Sequence, residues 1–232
     1  MVAGSDKNGI LGKLPAKTRG SLEALMSVHV GALGDVLQKA NEPIESAWFP
    51  LSGLVSSVRR LDNESGVEVD AAGSEGFVGI ELLLGGKVSP DAWTVQSPGR
   101  FARLPARAFA DAVDREPALR AQALAYATAV LAVRGQWVAC NARHTVEQRL
   151  AKWLLITADR LGTDIKITQD MVATMLGVRR ASVVTSLSRL VDEGIVRHGY
   201  ARIQILDEDR LRGYACVCYA HANSLLFGTP EG

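Results

Sequence analysis

At Pro117 the hydrophobic pattern changes period, and that change decides what the chain can fold into. Upstream, apolar residues come in short runs separated by Gly, Pro, Asn and Asp: Val28-His29-Val30, Asp35-Val36-Leu37, Ala47-Trp48-Phe49, Leu54 to Leu61, Gly66 to Ala71, Trp93 to Gln96 and Arg100 to Leu104. Short runs bounded by turn formers predict an all-β barrel or double-sheet roll. Asp62-Asn63-Glu64-Ser65-Gly66 predicts a hairpin turn between two of them. A helix is predicted over Ala16 to Met26, just after Leu14-Pro15, where proline suits a helix start.

Downstream of Pro117 the period is helical. Leu119, Ala123, Tyr126, Val130, Val133 and Trp137 follow at spacings of 4, 3, 4, 3 and 4, a heptad seam of nearly three repeats. This seam predicts a parallel dimer helix. A second stripe, Leu124, Leu131 and Val138, is available to pack on the chain's own β-domain, so both faces have a use. A break at Cys140-Asn141-Ala142-Arg143 precedes a second helix from His144 to Leu161, whose Val146, Leu150, Trp153, Leu154 and Leu161 line one side. Gly162-Thr163-Asp164 ends it.

Composition matters here mainly through charge. Residues 1 to 133 carry 13 Lys+Arg against 15 Asp+Glu, whereas residues 134 to 212 carry 13 against 9. A locally basic domain suits a phosphate backbone, although solvated surface explains the same excess. No run of about 18 uncharged apolar residues appears, and Met1 to Gly20 mixes Lys7, Lys13, Lys17 and Arg19 with Gly and Asp, so neither a signal peptide nor a membrane anchor is expected. Cys140, Cys216 and Cys218 are the three cysteines. An odd number argues against a secreted disulfide framework and for a reducing cytoplasm.

The stretch from Thr168 to Leu190 is the most specific. Thr168 is a good N-cap for a short helix. Ala173 and Gly177, four apart, supply the small contact residue and the turn residue that two steeply crossing helices need. Val172, Leu176, Val178, Val183, Leu187 and Leu190 form the apolar side, which leaves Arg179, Arg180, Ser182, Thr185, Ser186 and Arg189 for solvent or a DNA groove. No acidic residue occurs from Met171 to Val191. That absence favours a helix-turn-helix over a plain helical hairpin, because a recognition helix must meet phosphates and base edges. Gly194 to Leu206 predicts two strands around a Gly-containing turn, a wing with Arg197, His198, Tyr200 and Arg202 near the backbone.

Taken with Cys140 to Leu155, Phe49-Pro50-Leu51-Ser52-Gly53 and Ile203-Gln204-Ile205-Leu206-Asp207, this stretch resembles the Crp/Fnr superfamily of bacterial regulators from about Leu11 to Tyr219. The resemblance implies an α+β chain: an N-terminal β jelly-roll sensor domain of cyclic-nucleotide-binding-like fold (11–116), a long dimerisation helix (117–139) and a C-terminal winged helix-turn-helix (140–220). It implies a transcriptional regulator that binds double-stranded DNA as a homodimer on a palindromic operator. RNA polymerase is a possible partner, the small-molecule effector is unknown, and no membrane is involved. Arg180 to guanine ranks first among base contacts, with Thr168, Gln169, Arg179, Ser182, Thr185, Ser186, Arg189, Arg197 and Arg202 completing the expected DNA-binding set.

Nucleotide-binding members hold the cyclic phosphate with a Gly-Glu pair opening a short helix and an Arg about ten residues on. Here Ile80 follows Gly79 where Glu is expected, and Ser89-Pro90-Asp91 replaces the Arg. An anionic phosphate buried without a cation is costly, so cyclic AMP in the usual mode is not expected. The candidate effector pocket is Gly79, Ile80, Glu81 and Lys87.

Three cysteines cannot reproduce the family's four-cysteine iron–sulfur cluster. The pairs Cys140/His144 and Cys216/Cys218 each have spacings open to metal or redox chemistry, but buried or incidental thiols are the plainer reading, so no metal or cofactor is expected. No nucleophile with a His/Asp set, phosphate loop or HExxH appears, so an enzyme is not expected. The remaining alternative is a ligand-binding or protein-interaction adaptor that no longer binds DNA.

Overall fold

The computed structural model describes residues 2–60 and 66–228. The predicted turn at Asp62-Asn63-Glu64-Ser65 falls outside them. Among the described residues the contacts divide the chain into two units, Met1–Val58 with Asp70–Val130, and Arg59–Val69 with Leu131–Gly232. The division lies inside the long helix, not at the boundaries of 116 and 139 expected from sequence.

The first unit holds α1 (Ala16–Glu23), α2 (Ile80–Leu83), α3 (Ala106–Arg115) and seven strands, apart from the strand residues that fall within Arg59–Val69. The strands are β1 (Ser27–Gly31), β2 (Val36–Gln38), β3 (Ser46–Pro50), β4 (Leu54–Arg60), β5 (Gly66–Ala72), β6 (Ala92–Ser97) and β7 (Gly99–Pro105). They form two sheets, ordered β1-β7-β3 and β2-β6-β4-β5. β3 runs antiparallel to β7 with Ala47 opposite Leu104, and β4 antiparallel to β6 with Val55 opposite Val95. This is the double-sheet roll that the short apolar runs predict. Val55, Ala72, Val78, Trp93, Val95 and Phe101 pack between elements as one buried cluster.

The first residues join this domain, which their mixed composition does not suggest. Val2, Ile10, Leu11 and Leu14 are buried. Asn8, fully buried, donates through Nδ2 to the carbonyls of Pro50 (3.0 Å) and Gly76 (2.8 Å) and accepts at Oδ1 from the amides of Ile10 and Leu11. Four bonds on one side chain satisfy what burial would otherwise leave costly.

α4 (Pro117–Arg143) is one unbroken helix of 27 residues. Here the structure reverses the expected use of its faces. Leu119, Ala123, Tyr126, Val130 and Val133 are buried within the chain, and Trp137 is half-buried. The Tyr126 ring lies 5.6 Å from Phe77, tilted by 44°, and over Gly76, where a Cβ would come within 1.9 Å of the tyrosine ring. Val133 packs with Ile156 and Ala222. The predicted seam is therefore taken up by the chain's own interior, while Leu124, Leu131 and Val138 are 40, 58 and 73% exposed.

The second unit continues with α5 (Val146–Leu161), β8 (Asp164–Ile165), α6 (Gln169–Leu176), α7 (Arg180–Asp192), β9 (Val196–Gly199), β10 (Arg202–Ile205), α8 (Glu208–Tyr214) and α9 (Cys218–Phe227). Leu150, Leu154, Val172, Leu176, Val183, Leu187, Leu190, Ile195, Ile203 and Leu211 form its core. α5 starts with a capping box in which Thr145 Oγ1 accepts from the Gln148 amide (3.3 Å) and Gln148 Oε1 accepts from the Thr145 amide (3.0 Å). The sheet has three strands in the order β8-β10-β9, one more than the two-strand wing predicted.

Candidate nucleic-acid interface

Thr168 caps α6 as predicted, its Oγ1 accepting from the Met171 amide at 3.2 Å. Its hydroxyl thus serves the helix. Gly177 ends α6 in the left-handed region (φ 61°), and the Gly177 and Val178 amides donate to the Thr174 and Ala173 carbonyls at 3.1 and 3.0 Å. This closing pair of bonds favours glycine at that position. Arg179 then leads into α7 in extended conformation, and no side chain caps that helix. Its first amides and its positive dipole end are left to an anion such as a backbone phosphate.

On α7, Val183, Ser186, Leu187 and Leu190 turn inward, and Arg180, Ala181, Val184, Thr185, Ser188 and Arg189 are exposed. Ser182 is half-buried. The expectation for Ser186 is corrected: it lies three residues from Val183 and four from Leu190, on the core flank, and is 8% exposed. Ala181, Val184 and Ser188 lie on the outward strip and were missed, although their i, i+3, i+4 spacing from Arg180 and Thr185 marks them.

The basic residues divide into two sorts. Arg180 Nε lies 3.4 Å from Asp170 Oδ1, a single exposed ion pair that phosphate or guanine can displace. Arg179 and Arg197 are exposed, and Tyr200 stands wholly in solvent at the tip of the wing. Arg189 is engaged within the domain, with Nη1 3.2 Å from Glu147 Oε2, Nε 3.7 Å from Glu193 Oε1 and its guanidinium over the Tyr214 ring. Arg202 is likewise held by Asp164, through Nε at 2.5 Å and Nη2 at 2.7 Å, which ties β10 to β8. Both guanidiniums thus have carboxylate partners within the domain while remaining 60 and 55% exposed. Gln169 opens α6, half-buried.

Of the expected effector pocket, Gly79 (φ 106°) leads into α2, Ile80 is buried, Glu81 is half-buried and Lys87 is exposed. Two cavities of about 460 and 290 Å³ lie elsewhere in the first unit, and neither is lined by any of these four residues. The smaller has Gln38, Trp48 and Arg103 in its wall.

The two cysteine pairs that sequence leaves apart come together in the second unit. The ligand atoms of Cys140, His144, Cys216 and Cys218 all lie within 4.8 Å of one another. The His144 amide bonds the Cys140 carbonyl at 3.0 Å, so the two side chains stand one helical turn apart. The Cys140 thiol is lowered to about 4, chiefly by the hydrogen bond from Cys216 and against its own burial, with Lys152 adding to the effect. Burial pushes the Lys152 ammonium down, opposed by Cys140.

A helix-turn-helix with an uncapped, arginine-led second helix and a three-stranded wing defines the second unit as a winged helix-turn-helix domain. Residues 148–214 match the family of Crp-like helix-turn-helix domains. No curated protein matches the chain at the sequence level. Among solved structures, FixK2 from Bradyrhizobium japonicum is similar with a TM-score of 0.72 at 17% identity, covering 83% of this chain and 98% of its own. A Crp/Fnr-family transcriptional regulator from Thermus thermophilus has a TM-score of 0.68 at 22% identity, covering 82% and 97%. The c-di-GMP responsive global regulator CLP of Xanthomonas campestris has a TM-score of 0.66 at 16% identity, covering 82% and 99%. The chain thus has the Crp/Fnr fold and carries a Crp-like helix-turn-helix domain.

Proposed function

We propose that this chain is a transcriptional regulator that acts as a homodimer in the cytoplasm, inserting α7 into the major groove of a palindromic operator. The observation that carries the reading is the start of α7: Arg179 and Arg180 exposed at an uncapped helix N-terminus, followed by an outward strip of small side chains. Small residues let a helix sit deep in a groove about 12 Å wide, and an Arg at its leading end reaches guanine. Thr185 and Ser188 supply hydroxyls on the same strip, and Arg197 and Tyr200 extend the contact to backbone phosphate.

The dimer reading rests on the outward face of α4. Ala121, Leu124, Thr128, Leu131, Gly135, Val138 and Ala142 are all exposed and alternate at spacings of 3 and 4, an uncharged heptad stripe along the helix. α4 is long and apolar enough to cross a membrane by length and composition. Its opposite face is buried in the protein and its outer face is a coiled-coil seam, which accounts for the same apolar character in a dimer. A symmetric dimer presents two recognition helices to half-sites about one helical turn apart. The sensor domain lacks the Glu and Arg that would hold a cyclic phosphate, so any effector binds in another mode.

The test is fluorescence anisotropy on an operator selected from random DNA. Arg180→Ala is expected to lose about 1–3 kcal/mol for each half-site if it makes a bidentate guanine contact, and to relax sequence preference at that base, with the dimer retained. Arg179→Ala, on phosphate, weakens all sequences alike and lowers the salt slope by about 1. Unchanged operator affinity of the Arg180 variant would overturn the recognition-helix assignment.

A further inference from the structure

Cys140, His144, Cys216 and Cys218 bring four metal-ligating atoms within 4.8 Å of one another. The three cysteines are buried, and His144 is half-buried. Cys140 Sγ and Cys216 Sγ are 3.6 Å apart, and Cys218 Sγ and His144 Nδ1 are 3.5 Å apart. A tetrahedral ion with Zn–S of about 2.3 Å and Zn–N of about 2.05 Å sets its sulfurs roughly 3.8 Å apart and a sulfur and nitrogen roughly 3.6 Å apart. Both measured edges agree with those of one such ion. A two-iron cluster divides its ligands between two metals and spreads them further, so the common 4.8 Å limit on this set points to a single centre.

The surroundings fit an anionic metal–thiolate group. Lys152 is 6% exposed, its Nζ lies 3.6 Å from Cys140 Sγ and 3.6 Å from the Trp137 ring centroid, and among the described residues Cys140 is its one hydrogen-bond partner. A cation this deeply buried needs a compensating anion. Three thiolates around Zn²⁺ leave one negative charge, which the ammonium neutralises. Gln136 Nε2 donates to Cys218 Sγ at 3.0 Å, a second contact that orients a ligand from behind. Trp137 packs against the three cysteines and closes the site on its apolar side.

We infer that these four residues bind one structural Zn²⁺, which fastens the C-terminal end of α4 to the start of α9. Binding is deprotonation of the three thiols onto the ion, with the protons released to solvent and no change of oxidation state. With four protein ligands the centre has no open position, as befits a structural site.

The experiment uses the full chain purified under reducing conditions without chelator. Mass spectrometry of metals should find about one zinc per chain, released when the thiols are titrated with a mercurial. Replacing it with Co²⁺ should give the intense visible bands of a tetrahedral thiolate site. Cys218→Ser and His144→Ala should each lose most of the bound metal, whereas Val217→Ala, between the ligands, should keep it. Wild-type protein that holds no stoichiometric zinc, takes up none from solution and gives no cobalt bands would overturn the inference, whether its thiols are then free or Cys140 and Cys216 are joined as a disulfide. The cobalt titration is made on the wild-type chain, so the test stands even if a variant fails to fold.

Discussion

The sharpest test of the α4 dimer face is Leu131→Ala. Leu131 is 58% exposed in the single chain, and the proposed seam would bury that remainder. Full burial of a leucine side chain contributes about 1.5–3 kcal/mol, so the fraction still exposed is worth about 0.9–1.7 kcal/mol on each protomer. A symmetric interface contains the residue twice. Truncation should therefore weaken the dimer by about 2–3.5 kcal/mol, a rise in dissociation constant of about 20- to 300-fold. Helix propensity does not confuse the result, because alanine is the better helix former. Sedimentation equilibrium measures the dimer constant, and circular dichroism checks that the fold is kept. Val133→Ala is the paired control, since Val133 is 3% exposed and packs on Ile156 and Ala222. It should lower the melting temperature and leave the dimer constant near that of wild type. If Leu131→Ala dimerised as tightly as wild type while Val133→Ala fell apart into folded monomers, the inner stripe would be the interface and the reasoning refuted.

Two further outcomes follow from packing within each unit. Gly76→Ala would drive a methyl into the Tyr126 ring, which is 6% exposed and packed against Phe77, and should cost about 1–3 kcal/mol or more; in a Tyr126→Ala background the added cost should shrink in a double-mutant cycle by chemical denaturation. Thr145→Ala removes the Oγ1 half of the α5 capping box, leaving the bond from the backbone amide of that residue to Gln148 Oε1, and should cost about 1 kcal/mol, read as a melting temperature lower by about 2–4 °C for a chain of this size.

The helix-turn-helix was legible because every constraint on it is local. Thr168, Ala173, Gly177 and the stripe Val183, Leu187, Leu190 act within a few residues of one another, and each does in the structure what its spacing implies. Ser186 and Ser188 show where composition misleads: both are small and polar, and only the helical turn sends one inward and the other out. Arg189 and Arg202 have a different cause. Their partners Glu147 and Asp164 lie 42 and 38 residues away, so their engagement depends on tertiary contacts. The strands of the first unit were legible as a set, whereas the cavity that Gln38, Trp48 and Arg103 wall from three different strands was not.

The faces of α4 and the cysteine site fail in sequence for one shared physical reason. Two stripes of the same period run along α4, and periodicity fixes their spacing without saying which meets the chain's own core. Hydrophobicity favoured the stripe with Tyr126 and Trp137, yet bulk of that kind is what an interior needs. The outward stripe is built of Ala, Thr and Gly between Leu124, Leu131 and Val138, and looks too small to be an interface until the larger stripe is accounted for. The cysteines invert the case. Cys140 and His144 are adjacent on one helical turn, Cys216 and Cys218 flank one residue, and neither pair alone can complete a tetrahedral site. α5 through α8 lie between them in the chain, and the packing of Trp137 with all three cysteines brings the halves together. A four-ligand centre of this kind is absent from any local window, and follows only once folding has closed the domain around Lys152.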